Sequence, residues 1–195
     1  MPRIKIKSYI LSLKHNKLIH PLYQVMRSAY RLLRKIGYSH YKHTPHKSSI
    51  REKLAFILPV IEIANHYKPV WEKLPRGSFD VVLYNISYSE ELAFLKNYDA
   101  GIMTSKDLLK SDTKYRTMIS HHIIDLSPEP IIKRLACTNI RFMYAAGKAK
   151  WNFSDWNKHY DFILCYGPYH AEKFSEITDA ETLQMGYSRK RLAGG

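Results

Sequence analysis

From Lys53 onward, short apolar runs alternate with segments in which apolar residues recur every three or four positions. Runs of the first kind predict buried strands, and segments of the second kind predict helices. The predicted strands are residues 54–58, 79–85, 99–105, 115–124, 140–147, 160–167 and 180–186. Strands separated by helices favour a parallel sheet with helices on both faces. The pattern therefore predicts an α/β fold with a Rossmann-like, three-layer, mostly parallel sheet.

Polar turn residues mark the boundaries between these elements. Residues 75–78, PRGS, predict a turn before the second strand. In SYSEELAFLKNY, residues 87–98, Ser87 or Ser89 is expected to cap a helix. In SPEPIIKRLACTN, residues 127–139, the Pro-rich turn predicts a helix that runs to the end of the segment.

The stretch HYDFILCYGPYHAEKF, residues 159–174, shows how closely strand and helix follow each other. Its apolar run ends at Gly167-Pro168, and a helical segment begins almost at once. In a parallel sheet, such strand ends face the crevice in which ligands bind. Gly167 and Pro168 are therefore candidates for contact with an acceptor or a phosphate group, and the alternative is that they only shape the turn.

The N-terminal residues show a different pattern. In PLYQVMRSAYRLLRKIG, residues 21–37, apolar residues recur at helical spacing and basic residues occupy the other side. The basic residues, which are candidates for contact with a membrane, are Arg27, Arg31, Arg34 and Lys35. Together with the Ser- and His-containing linker of residues 39–49, this helix predicts a basic amphipathic extension over residues 1–49, followed by the α/β domain over residues 50–195.

The charge of the chain reinforces this division. The net charge is +14, and Lys and Arg are concentrated in the first 53 residues, where Glu52 is the only acidic residue. A basic appendage on a nearly neutral domain indicates an anionic partner. The expected partner is an anionic membrane surface, on which a basic amphipathic helix lies in the headgroup plane. Packing of this helix on the domain is the alternative. A nucleic acid is not expected, because no zinc-finger or RNA-binding signature occurs.

Composition and motifs exclude several classes of protein. A chain of 195 residues with 45% hydrophobic residues is large enough to form a folded core. Cys137 and Cys165 lie in apolar runs without metal-ligand spacing, so neither a disulfide framework nor a metal site is expected. No apolar run has the length of a membrane span. No GxGxxG or Walker motif occurs, which excludes ordinary dinucleotide and P-loop enzymes, and no cofactor is expected.

Three blocks of sequence resemble a known family. They are ISHHIID (residues 119–125), NKHYDFILCYGPYHAEKF (residues 157–174) and LQMGYSRKRL (residues 183–192). In their order and spacing they resemble the N-terminal half of a GT-B-type transferase, in particular the CDP-glycerol glycerophosphotransferase group that builds teichoic-acid polymers. The resemblance covers about residues 54–189. The chain departs from the family pattern at Ile123, where the family has Gly, and at Ser188, where the family has Pro.

The resemblance implies a function in cell-envelope synthesis. The chain would be the acceptor-side half of a transferase, peripheral on the cytoplasmic face of the cell membrane, acting on a lipid-linked acceptor. The family's second Rossmann-like domain holds the nucleotide-linked donor, so donor binding and activity are expected only together with that domain. The donor could equally be a nucleotide-linked sugar, in which case the enzyme would be a glycosyltransferase. The alternative is a non-catalytic binding or scaffold domain that its N-terminal helix recruits to membranes.

The resemblance also nominates catalytic residues. The family has a His at the end of the strand that corresponds to residues 115–124, and His is suited to act as a general base near neutral pH. His122 is the first candidate and His121 the second, because neighbouring strand residues point to opposite faces. Glu62 is a candidate for contact with the acceptor, and Asp125 for orienting a His. The alternative for His121 and His122 is that both are only polar residues at a strand end. Glu62 would then be a carboxylate on a helix surface, and Asp125 would cap a loop.

The charge asymmetry leads to a prediction about membrane binding. The chain should bind vesicles that contain anionic lipids, and this binding should weaken with added salt, because the attraction between basic residues and headgroups is screened. Removal of the residues before Ser49 should abolish it. Co-sedimentation with vesicles measures both effects, and equal binding by the shortened chain would contradict the prediction.

Overall fold

The structure, a computed structural model, describes residues 48–84, 86–121, 130–143 and 152–185. The chain divides into two units, residues 1–44 and 45–195, and all of the described residues belong to the second. The predicted amphipathic helix with Arg27, Arg31, Arg34 and Lys35 lies outside the described residues, so it stays a prediction.

Seven strands form one sheet, and every strand pair in it is parallel. The strands are β1 (Ser49–Leu58), β2 (Phe79–Leu83), β3 (Gly101–Thr104), β4 (Thr113–Ser120), β5 (Ala136–Phe142), β6 (Phe162–Cys165) and β7 (Glu181–Gln184). Their spatial order is β3-β2-β1-β4-β5-β6-β7. This arrangement confirms the predicted α/β fold with a Rossmann-like parallel sheet.

Helical segments connect the strands and cover both faces of the sheet. The α-helices are α1 (Ala64–Trp71), α2 (Ser105–Lys110), α3 (Ile131–Leu135) and α4 (Pro168–Ser175), and the 3₁₀ helices are Ile61–Ile63, Glu90–Tyr98 and Asp155–His159. Right-handed crossovers place the segments after β1 and β2 on one face and those after β3 to β6 on the other. The described part of the chain therefore has the three layers that the strand and helix pattern predicts.

A large apolar cluster lies on the face covered by α1. Phe56 of β1 contacts Tyr67, Trp71 and Phe79 at ring-centroid distances of 4.9, 5.6 and 5.4 Å, each edge to face. Leu92 and Leu95 of the 3₁₀ helix Glu90–Tyr98 belong to the same buried cluster. Burial of such side chains contributes about 1.5–3 kcal/mol each. This core fixes α1 directly after the carboxyl end of β1.

Two strands begin four or more residues before their predicted start. β1 begins at Ser49 and not at residue 54, because its exposed polar residues pair with β4, with an irregularity in register between Arg51 and Leu54. β5 begins at Ala136, inside the segment that was predicted to be helical up to residue 139. There Ala136 pairs with Tyr115 of β4, so ladder hydrogen bonds prevail over local helix propensity.

The turn and cap predictions have different outcomes. The turn at residues 75–78 is confirmed: the Ser78 N–H donates to the Pro75 carbonyl at 3.1 Å, and Gly77 adopts the left-handed conformation with φ = 72°. Ser89 occupies the N-cap position of Glu90–Tyr98, but its hydroxyl makes no capping hydrogen bond. Its Oγ is buried and has no hydrogen-bond partner in the described part of the chain. This segment is a 3₁₀ helix rather than an α-helix.

A buried carboxylate joins four strands at the amino-terminal edge of the sheet. Asp80 of β2 accepts a hydrogen bond from the Tyr115 hydroxyl at 2.7 Å and from the Gly101 N–H at 3.2 Å. Arg51 and Lys53 of β1 lie within 3.7 and 3.5 Å of its oxygens. Burial, followed by the hydrogen bond to Asp80, raises the pKa of Tyr115, so this hydroxyl remains protonated and continues to donate. The cluster fixes β1, β2, β3 and β4 relative to one another.

Gly101 offers a test of this cluster. A Cβ at position 101 would lie 2.5 Å from Oδ1 of Asp80, so Gly101→Ala should push the carboxylate away from its partners. We expect a loss of about 1–3 kcal/mol in the free energy of unfolding, the usual cost of overpacking. Urea unfolding measures this change. Gly167→Ser is the matched control, because a Cβ there meets no atom within 4 Å, and it should change the free energy of unfolding by no more than about 0.5 kcal/mol.

Candidate functional site

The strand order places a crevice between β1 and β4. The chain proceeds from β1 to β2 on one side and from β4 to β5 on the other, so the direction of winding reverses at this pair. In open parallel sheets, ligands bind outside the carboxyl ends of the strands at such a switch point. The carboxyl edge of β1 and β4 is therefore the candidate ligand site of the sheet.

Two of the predicted site residues lie at this edge. Glu62 is exposed in the 3₁₀ helix Ile61–Ile63, four residues after the end of β1. His121 directly follows β4, which ends at Ser120. Because parallel strands end at a common edge, residues far apart in sequence meet here.

His121 occupies a core position below the edge, with 1% of its surface exposed. Its ring stacks on Tyr67 at 4.6 Å between centroids and contacts His66 edge to face at 5.3 Å. Nδ1 donates to the Phe142 carbonyl at 2.7 Å, which requires the ring proton on Nδ1. A neutral His121 ring therefore has its lone pair on Nε2. The assignment of His121 as the second candidate base stays a prediction.

A buried guanidinium connects the ends of β4 and β5. Arg141 of β5 is 2% exposed, and its Nε donates to the His121 carbonyl at 3.4 Å. Its Nη1 donates to the Asn152 carbonyl at 2.8 Å and to Oδ1 of Asn157, and its Nη2 donates to Oδ1 of Asn152 at 2.9 Å. Asn157 Nδ2 also donates to the Asn152 carbonyl at 2.8 Å. Arg141 thus ties the start of residues 152–157 to the carboxyl end of the sheet.

Aromatic rings cover the same guanidinium. Its carbon lies 4.4 Å from the ring centroid of Trp156 and 5.1 Å from that of Phe174. Burial lowers the pKa of Arg141 to about 10, so the group remains charged at neutral pH. Among the described residues, no carboxylate forms an ion pair with it. A positive charge whose described partners are all neutral is therefore buried at the carboxyl edge.

The Gly167-Pro168 turn lies at the carboxyl end of β6. Gly167 is the N-cap of α4 and Pro168 is its first residue, as the sequence pattern predicts. The φ of Gly167 is 164°, an extended conformation open to any residue, and the space around it is open. Neighbouring strands lie about 4.8 Å apart, so this turn is about 10 Å from the end of β4.

Four aromatic rings surround the start of α4. Phe153 stacks on His170 at 5.9 Å and contacts Tyr169 edge to face at 6.4 Å. Tyr166 contacts His170 at 5.9 Å, and its hydroxyl donates to the Met143 carbonyl at 2.7 Å. Tyr169 is nevertheless 59% exposed. We call these residues, Phe153, Tyr166, Tyr169 and His170, the aromatic rim.

The positive charge of Arg141 affects the pKa of His170 in the aromatic rim. Burial, and after it the positive charge of Arg141, lower the pKa of His170 below its ordinary value. Both causes disfavour the protonated form of the His170 ring.

The structure brings some predicted residues together and says nothing of others. Glu62, His121, Gly167 and Pro168 share the carboxyl edge of the sheet, whereas His122 and Asp125 lie outside the described residues. The roles assigned to all six stay predictions.

Sequence reasoning missed Arg141 and the aromatic rim. A single Arg in the apolar run IRFM, residues 140–143, was the available signal for Arg141.

A cleft of about 510 Å³ opens at the opposite, amino-terminal edge of β6 and β7. Lys133, Lys158, Asp161 and Asp179 contribute charges of both signs to its lining. Lys133 pairs with Asp161 at 2.7 Å, and Asp161 also accepts a hydrogen bond from the Asn139 N–H at 2.7 Å. Asp161 thus stabilises the sheet through these two contacts. The positive and negative charges that line the cleft largely cancel.

Within the described ranges, no three His, Cys, Asp or Glu side chains lie close enough together to hold a metal ion. No helix in those ranges has the length and apolar character needed to cross a membrane.

Comparison of the chain with protein families, curated proteins and solved structures returns no match. The resemblance to the glycerophosphotransferase group therefore rests on the three sequence blocks alone.

His121→Ala tests the core position of this ring. The substitution removes the stacking on Tyr67 and the hydrogen bond to Phe142, and it leaves a cavity. We expect the free energy of unfolding to fall by about 2–4 kcal/mol. Thermal and urea unfolding provide the measurement. Glu62→Gln, an exposed change at the same edge, should alter the free energy of unfolding by no more than about 0.5 kcal/mol. Equal stability of the two variants would contradict the assignment of His121 to the core.

Proposed function

We propose that the chain is the acceptor-side half of a membrane-peripheral transferase that acts in the synthesis of a cell-surface polymer. The observation that carries this proposal is the switch point between β1 and β4. Glu62 and His121 lie at the carboxyl ends of these two strands, and His122 is the next residue along the chain. Such an edge is where parallel sheets bind ligands.

The proposed reaction transfers glycerol phosphate from CDP-glycerol to a hydroxyl of a lipid-linked acceptor. The acceptor oxygen forms a bond to the β-phosphorus, the phosphoanhydride bond breaks, and CMP leaves. The acceptor hydroxyl loses its proton, which His122 would accept as general base. The donor nucleotide would be held by a second domain. A sugar nucleotide in place of CDP-glycerol gives the glycosyltransferase form of the proposal.

The charge distribution supports a location on the membrane surface. The basic residues of the first 53 positions would hold the enzyme near anionic headgroups on the cytoplasmic face of the membrane. Lipid-linked acceptors lie at the same surface. The +14 net charge is thus compatible with an enzyme that extends such acceptors.

His122→Ala tests the proposed chemistry. Loss of a general base should lower turnover about 10²- to 10⁴-fold, while the melting temperature should stay close to that of the wild type. The measurement is transfer of labelled glycerol phosphate from CDP-glycerol, or of a sugar from its nucleotide, to membranes, with the gene product as the cell makes it.

Three results bear on this prediction. Unchanged turnover of His122→Ala, or activity lost only through unfolding, would remove the catalytic assignment. Absence of transfer by the wild-type protein with either donor would favour the binding or scaffold domain instead. His121→Ala controls for stability, since it should reduce the melting temperature more than His122→Ala does.

A further inference from the structure

The pairing of β1 with β4 ends early at the carboxyl edge. The paired residues extend to Phe56 and Ile119 and no further. Hydrogen bonds of a parallel ladder follow one another at regular intervals, so the next bond would join the His121 N–H to the Ile57 carbonyl. That bond is not among the backbone hydrogen bonds of the described residues. The two strands of the switch point therefore separate at Ile57.

The pairing of β1 with β2 includes the bond that corresponds to the missing one. There the Tyr84 N–H, one residue beyond β2, donates to the Leu58 carbonyl at 3.0 Å. Pro59 follows Leu58 and has no N–H with which pairing to β4 could resume. At its carboxyl end, β1 is therefore regular on the side of β2 and open on the side of β4.

The hydroxyl of Tyr67 lies where the missing bond would be. This hydroxyl belongs to α1, and it donates to the Ile57 carbonyl at 3.2 Å. The Tyr67 ring stacks on that of His121 at 4.6 Å between centroids, with 20° between the ring planes. Burial, and after it the charge of Tyr160, raise the pKa of Tyr67, whereas a hydrogen bond with the His121 backbone opposes this rise. The hydroxyl therefore stays protonated and interacts with both strands.

Packing of the core does not require this hydroxyl. The Tyr67 ring is fully buried and contacts Phe56 and Phe142 at 4.9 and 5.8 Å between centroids. A Phe ring would keep these contacts without burying a polar group. Without the hydroxyl, the His121 N–H and the Ile57 carbonyl would be left to bond directly. What the hydroxyl adds is therefore a separation between two strands.

We propose that Tyr67 is a positioning residue whose hydroxyl holds β1 and β4 apart at the carboxyl edge, so that the acceptor can bind between them. The inference rests on the proposed function in naming the acceptor as the ligand. A hydroxyl that bonds to both strands places the Ile57 oxygen and the His121 nitrogen about 5 Å apart, against about 2.9 Å for a direct bond. Tyr67 is buried, so it sets the width of the crevice without touching the reacting groups.

The first test measures the separation of the strands in the full chain. Tyr67→Phe should bring the His121 N–H and the Ile57 carbonyl into a direct hydrogen bond, which NMR detects as a coupling between the ¹⁵N of His121 and the carbonyl ¹³C of Ile57. The wild type should lack this coupling but show the one between Tyr84 and Leu58, which is the positive control. A His121–Ile57 coupling in the wild type, or its absence in the folded variant, overturns the proposal.

The second test separates positioning from stability. Tyr67→Phe should lower kcat/KM for the lipid-linked acceptor in isolated membranes about 10- to 100-fold, chiefly through a higher KM, because small displacements of the crevice walls disturb binding. Tyr115→Phe is the matched control, since it removes a buried hydroxyl that bonds to Asp80 at 2.7 Å at the opposite edge of the sheet. It should reduce the melting temperature more than Tyr67→Phe does, yet leave the acceptor KM within about twofold of the wild type, because the two sites are distant.

Stability and folding of the variants do not obscure the result. An equal rise of the acceptor KM in Tyr67→Phe and Tyr115→Phe would mean that loss of stability impairs binding, and would overturn the proposal. If Tyr67→Phe does not fold, the wild-type spectrum decides. Absence of the direct His121–Ile57 coupling there supports the proposal, and its presence overturns it.

Failure of this inference can be distinguished from failure of the proposed function. Absence of transfer by the wild type with either donor removes the proposed function, whereas a direct hydrogen bond that forms only in Tyr67→Phe keeps Tyr67 as the residue that separates the strands. Transfer with the same acceptor KM in Tyr67→Phe and the wild type keeps the proposed function and overturns this inference.

Discussion

The hydrogen bonds of Arg141 hold together the part of the structure on which any function at the carboxyl edge depends. The guanidinium joins the His121 carbonyl at the end of β4 to Asn152 and Asn157, which follow β5. The His121 ring in turn donates to the Phe142 carbonyl at the end of β5. The backbone at His121, directly after the end of β4, is therefore fixed by buried partners on β5 and on residues 152–157.

The two edges of the sheet use charge in different ways. At the amino-terminal edge, Asp80 is buried, but Arg51, Lys53 and the Tyr115 hydroxyl surround it, so its charge is compensated locally. At the carboxyl-terminal edge, the described partners of Arg141 are neutral oxygens and aromatic rings. The switch point between β1 and β4 favours this edge as the functional one.

The proposed transferase fits the geometry of the carboxyl edge. The ends of β1, β4 and β6 are followed by Glu62, by His121 and by the turn at Gly167-Pro168. Because these strands end at one edge of the sheet, the three positions are separated by about 5–15 Å. An acceptor bound at the ends of β1 and β4 would therefore lie within about 10–15 Å of this turn.

The sequence alone determined the fold class, because short apolar runs that alternate with amphipathic segments are a local property of the chain and require parallel pairing. It also located the turn at Gly167-Pro168, since Pro is suited to the first position of a helix. Only the tertiary structure decided where β5 begins, because the pairing of Ala136 with Tyr115 overrides helix propensity. It likewise decided that His121 is a core residue and that Arg141 is buried. Both depend on partners, such as Tyr67, Asn152 and Phe174, whose proximity no local pattern encodes.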